Sequence, residues 1–471
     1  MGHEGIINPN PWSLLPFGVL LGAIALAPLW AHAWWGRHYP KVAFGLAAIT
    51  LTYYLGGLHA HGRVLHVGAE YVSFMALIGS LYVVSGGIHI TVKGEATPLT
   101  NVMFLLVGAV IANVLGTTGA SMLLIRPWLR MNKYRLTAHH VVFFIFLVSN
   151  VGGCLTPIGD PPLFLGYLKG IPFWWVAKHC WPMWALGVGL LLAIFYVLDR
   201  RNYLRAPAAV RERLAEPGDV WRFQGLGNLV FLGIILGAVF LPHPPFLREG
   251  IMVAAAVASY RLTRKPVHEA NQFNFHPIQE VAILFIGIFA TMMPALDWLQ
   301  VHARELGTPS PGLFYWAAGA LSSVLDNAPT YLSFLSAEMG LFVPPDRVAA
   351  ALAALQSGAA AGTTPELVQQ TLAALAQYFP SEFAAHETTA EHLQLSVLLA
   401  QPQYNRFVVA LSVGAVFFGA CTYIGNGPNF MVKSIAEQQK AHAPTFLGYV
   451  FRFTLPYLLP VLLVVWAVFF R

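Results

Sequence analysis

Apolar runs of about 20 residues, the length that a helix needs to cross a bilayer, alternate along the chain with short polar loops. This pattern predicts an all-α, polytopic membrane protein with about ten spans. The predicted spans cover residues 12–35, 42–58, 71–91, 138–168, 173–198, 226–241, 251–260, 278–299, 406–432 and 446–470.

Two of these runs, 138–168 and 406–432, are interrupted by polar residues and helix breakers in the same order. Residues 156–162 read TPIGDPP and residues 422–428 read TYIGNGP. Irregular backbone persists at membrane depth only where protein or a water-filled cavity satisfies its polar groups. An intramembrane acid such as Asp160 therefore marks a functional site, and the two breaks are predicted to be matched halves of it.

Two further apolar segments, 101–125 and 312–335, contain polar residues midway, and basic residues indicate how these segments cross. If both are re-entrant hairpins and the N-terminus is outside, the basic cluster 126–135 and the cluster 200–213 fall on the cytoplasmic side. That distribution is the one that the positive-inside rule expects. Treating only one hairpin as a full span would place the downstream basic loops outside, against the positive-inside rule.

The hairpins then enter from opposite sides, and each precedes a broken helix, which is the inverted-repeat plan of secondary transporters. We assign residues 1–37 to an extra N-terminal span, 38–198 to the first repeat and 246–471 to the second. Residues 199–245 hold a span and a cytoplasmic linker; charges at near-helical spacing predict a linker helix, and a docking site is the alternative. Residues 343–403 predict a helical insert on the outer face, and Lys169 and Lys178 are interpreted as interfacial anchors.

Composition agrees with a membrane protein and excludes several other classes. Of the 471 residues 57% are hydrophobic and 10% are charged, whereas roughly 25% are charged in a soluble domain. The net charge of +6 comes from basic loops that orient the protein, so nucleic acid is not an expected partner. The three cysteines have neither metal nor disulfide spacing and are interpreted as packed thiols, and no cofactor is expected.

The polar residues of the breaks and hairpins are hard oxygen donors, which suit an alkali cation, and none of these motifs contains Arg or Lys. The predicted ion- or substrate-binding residues are Thr117, Thr118, Thr156, Gly159, Asp160, Asp326, Asn327, Thr422, Gly425 and Asn426. Of these, Asp160, Asp326, Asn327 and Asn426 are predicted to bind Na⁺. Because carboxylates removed from water bind protons readily, cations and protons would compete, which is the basis of antiport.

Structural interpretations remain beside the functional ones. Asp160 could cap a new helix that begins with proline, and Asp326 could likewise be structural. The threonine hydroxyls could bond to the helix backbone, His89 could pack locally, and Glu280 could snorkel. An aspartyl intramembrane protease requires a close carboxylate pair, but the G-x-G-D arrangement is absent. An enzyme is therefore not expected. A channel is disfavoured because half-broken, symmetric helices with an aspartate suit an occluded site better than an open pore.

The segment from Ser149 to Pro162, SNVGGCLTPIGDPP, resembles the signature of the ion transporter superfamily. That superfamily includes NhaD-type sodium/proton antiporters, arsenite permeases, citrate carriers and divalent anion/sodium symporters. Residues 280–294 and the sequence Leu325-Asp326-Asn327 also resemble it. The resemblance implies a homodimer, with scaffold and transport domains moving in an elevator-like cycle, in a bacterial cytoplasmic membrane.

The hairpin tips affect the expected cargo. Carboxylate symporters of this kind usually have Ser-Asn-Thr at both tips, where this chain has Gly116-Thr117-Thr118 and Asp326-Asn327-Ala328. An additional acid would repel a citrate-like anion unless bound cations neutralised it. We therefore expect exchange of Na⁺ or Li⁺ for protons. The alternative is a Na⁺- or H⁺-coupled citrate or dicarboxylate transporter.

Overall fold

The computed structural model describes residues 7–93, 96–206, 220–241, 244–307, 309–357, 366–385 and 388–471, and these are mostly helical, as predicted. The helices of the first half are α1 (Leu15–Trp30), α2 (His32–Thr52), α3 (His61–Gly86), α4 (Pro98–Met131), α5 (Ala138–Leu147), α6 (Pro161–Lys169) and α7 (Phe173–Arg205). Those that follow are α8 (Asn228–Ala238), α9 (Leu247–Leu262), α10 (Lys265–Ala270), α11 (His276–His302), α12 (Pro311–Val324), α13 (Asn327–Phe342), α14 (Pro345–Ser357), α15 (Glu366–Tyr378), α16 (Pro380–Ala384), α17 (Ala390–Ala400), α18 (Pro402–Phe418), α19 (Gly427–Gln438), α20 (Phe446–Tyr449) and α21 (Leu459–Phe469).

Seven helical segments of the described chain are long and apolar enough to cross a membrane. They are Pro11–Pro28, His61–Gly86, Pro98–Met131, Phe173–Arg205, His276–Glu305, Pro402–Cys421 and Phe446–Phe469. The protein is therefore a multi-pass membrane protein. The count of about ten spans and the outside position of the N-terminus stay predictions.

Both predicted hairpins are present. The backbone of α4 turns at Gly116, whose φ of 74° favours glycine, and the Ala96 amide donates to the Met131 carbonyl at 3.1 Å. The two arms of this first hairpin therefore end side by side. In the second hairpin, α12 ends at Val324 and α13 begins at Asn327.

Both predicted helix breaks are present as well. The first separates α5 from α6, and the second separates α18 from α19. In each case proline lies in the first two positions of the following helix, where its missing N–H has no helical partner to lose. The TPIGDPP and TYIGNGP segments thus lie between the two helices of each pair and lead into the second one.

The two halves of the chain pack on each other in an equivalent way. Helix α1 packs on α2 and α11, while α8 packs on α9 and α3. Helix α2 packs on α11, and α9 packs on α3. Each half therefore supplies a helix pair that the other half covers. The exact boundaries of the repeats stay a prediction.

Helix α3 begins ten residues before the predicted span 71–91 and ends earlier. The charged residues of its first turns pointed to a loop, but they are buried in ion pairs and so belong to the helix. Its C-terminal end coincides with Gly86-Gly87, and strand β1 (His89–Lys93) follows. The predicted start of this span was wrong because charged residues were taken to be exposed, whereas these are buried in ion pairs.

Strand β1 pairs antiparallel with β2 (Val220–Gln224), His89 facing Gln224 and Lys93 facing Val220. The end of the predicted linker helix is therefore a strand, whose Val-Trp-Arg-Phe sequence is typical of one. The remaining linker charges, Arg211, Glu212, Arg213 and Glu216, lie outside the described residues.

The insert consists of helices α14 to α17 in its described part and joins the rest of the protein through buried charges. We call these the insert cluster: Arg63, Glu70, Lys169, Asp297 and Glu391. Lys169 Nζ lies 2.8 Å from Glu70 Oε1 and 3.1 Å from Glu391 Oε1. Arg63 Nη2 lies 2.7 Å from Asp297 Oδ1. Lys169 is therefore an internal ion-pair residue, and its interpretation as an interfacial anchor was wrong.

We expect Lys169→Met to lower the free energy of unfolding by about 3 kcal/mol, because it leaves two buried carboxylates without their ammonium partner. The Lys169 side chain is only 2% exposed. Burial alone would raise the pKa of Glu391, but the neighbouring Lys169 and Arg63 outweigh it and hold that pKa below its ordinary value. The contribution of Glu391 to the free energy of unfolding is therefore complete above the ordinary glutamate pKa. It is lost as the pH falls through the lowered pKa of Glu391.

Thermal unfolding in detergent at neutral and at acidic pH measures this effect. The difference between Lys169→Met and wild type should be largest at neutral pH and should shrink in acid. Lys178→Met is the matched control, since Lys178 is exposed, and its effect should stay within about 0.5 kcal/mol. Equal effects of the two substitutions would contradict a stabilising role for the insert cluster.

Candidate functional site

Asp160 lies where both hairpin tips and both helix breaks meet, and it is 1% exposed. Its Oδ1 accepts hydrogen bonds from Thr117 Oγ1 at 2.7 Å and from Asn426 Nδ2 at 2.9 Å. Its Oδ2 accepts one from Asn327 Nδ2 at 2.6 Å. Thr117 belongs to the first hairpin, Asn327 to the second and Asn426 to the second break. One carboxylate therefore connects four interrupted elements from both halves of the chain.

Two threonines hold the breaks against the hairpins. Thr156 Oγ1 donates to the Asn113 carbonyl at 2.6 Å, and Thr422 Oγ1 donates to the Ser323 carbonyl, also at 2.6 Å. Both acceptors lie three residues before the turn of their hairpin. The hydroxyls of Thr156 and Thr422 thus hold the backbone of the hairpins, and the role of these two threonines as ligands stays a prediction.

Each threonine hydroxyl also accepts a hydrogen bond from an amide of its own break. The Gly159 amide lies 3.1 Å from Thr156 Oγ1, and the Gly425 amide lies 3.2 Å from Thr422 Oγ1. In addition, the Thr117 amide donates to the Gly159 carbonyl at 2.8 Å. These backbone polar groups of the breaks are thus satisfied by protein, as membrane depth requires.

Two glycine pairs set the shape of the breaks. A methyl group on Gly159 would lie 2.1 Å from the Gly153 carbonyl oxygen, and one on Gly425 would lie 2.7 Å from the Gly419 carbonyl oxygen. These are contacts of backbone with backbone, which only glycine permits. The sequence pointed to Gly159 and Gly425 but missed their partners six residues earlier. The equal spacing within the two breaks was the signal that could have found them.

An asparagine pair joins the two halves, and of its members Asn429 was named from sequence as an oxygen donor whereas Asn150 was not. Asn150 Nδ2 donates to Asn429 Oδ1 at 2.7 Å, and Asn426 Nδ2 lies 3.2 Å from Asn150 Oδ1. Asn150 and Asn429 are fully buried. Buried amide networks of this kind fix one geometry, because every broken bond leaves a polar group without water. The position of Asn150 in the SNVGG part of the signature was the available signal.

The two aspartates differ in their hydrogen bonding. Asp326 Oδ1 accepts from the Ala328 amide at 3.0 Å and so caps α13. Asp160 occupies the equivalent position before α6, but its side chain makes no capping bond. The capping interpretation raised for Asp160 therefore describes Asp326. Cation binding by Asp326 stays a prediction.

A small cavity of about 20 Å³ lies beside Asp160, between α3, the tip of the first hairpin and the first break. Thr117, Thr118 and Gly159 line it together with Asp160, and Tyr82 lines it from α3. A water molecule needs roughly 10–15 Å³ measured in this way. The cavity therefore has room for a small ion or a water molecule, and a larger solute requires it to widen.

The groups around Asp160 can exchange hydrogen bonds for a cation. Its described hydrogen-bond donors are a hydroxyl and two amides, all neutral. Asn327 Oδ1 is buried and has no hydrogen-bond partner among the described residues. Because an amide presents an oxygen as well as donors, Asn327 and Asn426 can turn oxygens towards a cation that the Asp160 carboxylate attracts. Such a set suits Na⁺ or a proton.

Of the residues named as uncertain from sequence, several have structural partners. His89 is buried and its Nδ1 lies 2.7 Å from Asn271 Oδ1, so it packs locally. The three cysteines, Cys154, Cys180 and Cys421, are free and buried, which confirms their interpretation as packed thiols.

Glu338 on α13 is a buried acid that the sequence analysis did not identify. It is fully buried, and neither carboxylate oxygen has a hydrogen-bond partner in the part of the chain that the structure describes. It lies eleven residues after Asn327, three helical turns further along the same face. An unpartnered charge in this place would be costly, so the neutral, protonated form is the favourable one.

We expect Glu338→Gln to change the free energy of unfolding by less than about 1 kcal/mol, because it removes no hydrogen bond and no partnered charge. Asp199→Asn is the contrasting control. The Asp199 carboxylate is fully buried and bonds to Arg135 and Asn101. Neutralising Asp199 should cost about 3–5 kcal/mol. Thermal unfolding of both variants tests the contrast, and a large loss for Glu338→Gln would reveal an ionised Glu338 with a partner.

The chain matches one family model, named CitMHS_2 and described as "Putative citrate transport", over residues 8–470. No curated protein matches the chain. The match covers both halves, both hairpins, both breaks and the insert.

Proposed function

The chain belongs to the CitMHS_2 family, and on that premise we propose that this secondary transporter carries citrate or a related carboxylate together with cations bound at Asp160. The observation that supports the proposal is the convergence of four interrupted elements on one buried carboxylate. In secondary transporters, discontinuous helices near the midplane bind the substrate and the coupling ion. The remaining features of the proposal are a homodimer in a bacterial inner membrane with its N-terminus outside.

The cation has a physical purpose in this proposal. Asp160 alone would repel a carboxylate, and burial makes that repulsion strong because few water molecules screen it. A Na⁺ ion or proton on Asp160 removes the repulsion, so cation binding and anion binding favour each other. Coupling of the two gradients follows from this reciprocity.

Exchange of Na⁺ for protons is the second candidate. Two observations favour it: the described donors to Asp160 include no basic side chain, and the adjoining cavity of about 20 Å³ suits an ion. Under this candidate Na⁺ and H⁺ compete for Asp160 and no anion is needed.

Proteoliposomes distinguish the two candidates. Radiolabelled citrate should accumulate when an inward Na⁺ or proton gradient is imposed, and it should not accumulate without a gradient. In parallel, a pH-sensitive dye inside the vesicles reports whether Na⁺ alone moves protons in the absence of any carboxylate. A Na⁺-driven pH change without citrate, together with no citrate uptake, would replace carboxylate transport by cation exchange.

A further inference from the structure

Arg126 is a buried cation on the returning arm of the first hairpin. It is 5% exposed, and among the described residues its Nε and Nη1 have no hydrogen-bond partner. The basic cluster 126–135 was predicted to lie in a cytoplasmic loop, but Arg126 lies within α4. A guanidinium cannot lose its proton to avoid the cost of burial. A buried guanidinium with two open nitrogens is therefore well suited to binding an anion.

Ser85 on the facing helix α3 has the same property. It is 1% exposed and its hydroxyl has no hydrogen-bond partner in the described chain. A methyl group on Gly119 of α4 would lie 2.6 Å from Ser85 Oγ, so the two helices are in close contact here. Gly119 and Arg126 are seven residues apart and share one face of α4. The open donors of Ser85 and Arg126 thus belong to one helix–helix interface.

This interface adjoins the cavity beside Asp160. Gly119 and Tyr82 both line the cavity, and Tyr82 is close enough to Arg126 for an electrostatic interaction. From Thr117 to Arg126 the helix rises about 14 Å. Long side chains on a helix lean towards its N-terminal end, which for this arm is the hairpin tip. We therefore expect the Arg126 side chain to lean from the base of the hairpin towards the cavity.

We propose that Arg126 and Ser85 form a carboxylate-binding subsite for a di- or tricarboxylate substrate. The guanidinium binds one carboxylate through two parallel N–H donors, and the Ser85 hydroxyl donates to the same group. The cation on Asp160 neutralises the carboxylate that lines the adjoining cavity. The proposal rests on carboxylate transport as the proposed function.

Citrate binding to the purified protein in lipid nanodiscs, measured by titration calorimetry in saturating Na⁺, tests the subsite. Arg126→Gln should raise the citrate Kd roughly 10- to 100-fold, the range expected for loss of hydrogen bonds to a charged group. Arg126→Lys keeps the positive charge but lacks the two parallel N–H donors, so its citrate Kd should lie between those of wild type and Arg126→Gln. Ser85→Ala should raise the Kd by a few fold. Arg130→Gln, on the same helix and more exposed, is the matched control and should leave the Kd unchanged.

Thermal unfolding separates recognition from a structural role. Citrate should raise the Tm of wild type, and this increase should be lost in Arg126→Gln. The citrate-free Tm of that variant should equal or exceed the wild-type value, because an unpaired buried charge has been removed. A lowered citrate-free Tm with an unchanged citrate Kd would overturn the subsite. If wild type itself binds no citrate, the proposed function fails and the subsite fails with it; if wild type and Arg126→Gln bind citrate equally, the subsite alone fails.

Discussion

Asp160→Asn is expected to lower the initial rate of cation-driven citrate uptake at least about 100-fold, because it removes the buried charge that attracts the coupling cation. The variant should still fold. An asparagine has the same shape, and its oxygen can accept from Thr117 and Asn426. Its amide can donate to Asn327 Oδ1, which has no partner among the described residues. Uptake into proteoliposomes, normalised to the amount of monodisperse protein, measures the loss.

Two further neutralisations complete this experiment. Asp346→Asn changes an exposed acid of the insert and should leave uptake unchanged. Asp326→Asn should fold normally, because asparagine caps a helix as well as aspartate does. If Asp326 binds a coupling ion as predicted, this variant needs more Na⁺ for half-maximal uptake. Uptake by Asp160→Asn at the rate of the Asp346→Asn control would exclude Asp160 from the ion site.

Gly159→Ala is expected to destroy the site and most of the folded protein with it. The added methyl group would lie 2.1 Å from the Gly153 carbonyl oxygen and 2.8 Å from its carbon. Neither atom belongs to a flexible side chain, so the two backbone segments of the first break would have to move apart. Overpacking costs about 1–3 kcal/mol where side chains can move and more where they cannot. We expect a loss above about 3 kcal/mol, or no monodisperse protein on size-exclusion chromatography.

The second break offers a matched pair of variants. Gly425→Ala meets the Gly419 and Ser322 carbonyl oxygens at 2.7 Å and should behave like Gly159→Ala. Gly427→Ala, two residues later, meets no atom within 4 Å and lies in a helix, where alanine is the better residue. It should therefore be as stable as wild type. If Gly425→Ala were also tolerated, the close backbone contact in the break would be refuted.

The sequence was sufficient to predict the elements that break a regular pattern. Both hairpins and both helix breaks are present, because Gly, Pro, Asp and Asn inside apolar runs have few structural interpretations. It was insufficient where a polar residue has a distant partner. The start of α3 was misplaced because Glu70 pairs with Lys169, about a hundred positions away, and no local pattern contains that information.

The same distinction between predictable and unpredictable features applies to the candidate site. The residues that meet at Asp160 were named from sequence because each lies at an interruption. Their relative roles were not predictable, since Thr156 and Thr422 have the same residue type as Thr117 but point to backbone carbonyls. Arg126 shows the limit most clearly. By position it belongs to a basic loop cluster, and only the packing of α4 on α3 shows that it is buried.

The three donors to Asp160 are separated from it by 43, 167 and 266 residues, and this order has a consequence for biosynthesis. At a translation rate of about 5–20 residues per second, the nascent chain contains Asp160 roughly 10–50 s before Asn426 is made. Until Asn327 is made the carboxylate has at most one of its three final partners, and until Asn426 is made it has at most two. The first half must therefore enter the membrane with Asp160 protonated or hydrated. The complete set of contacts around Asp160 forms only when the last quarter of the chain arrives.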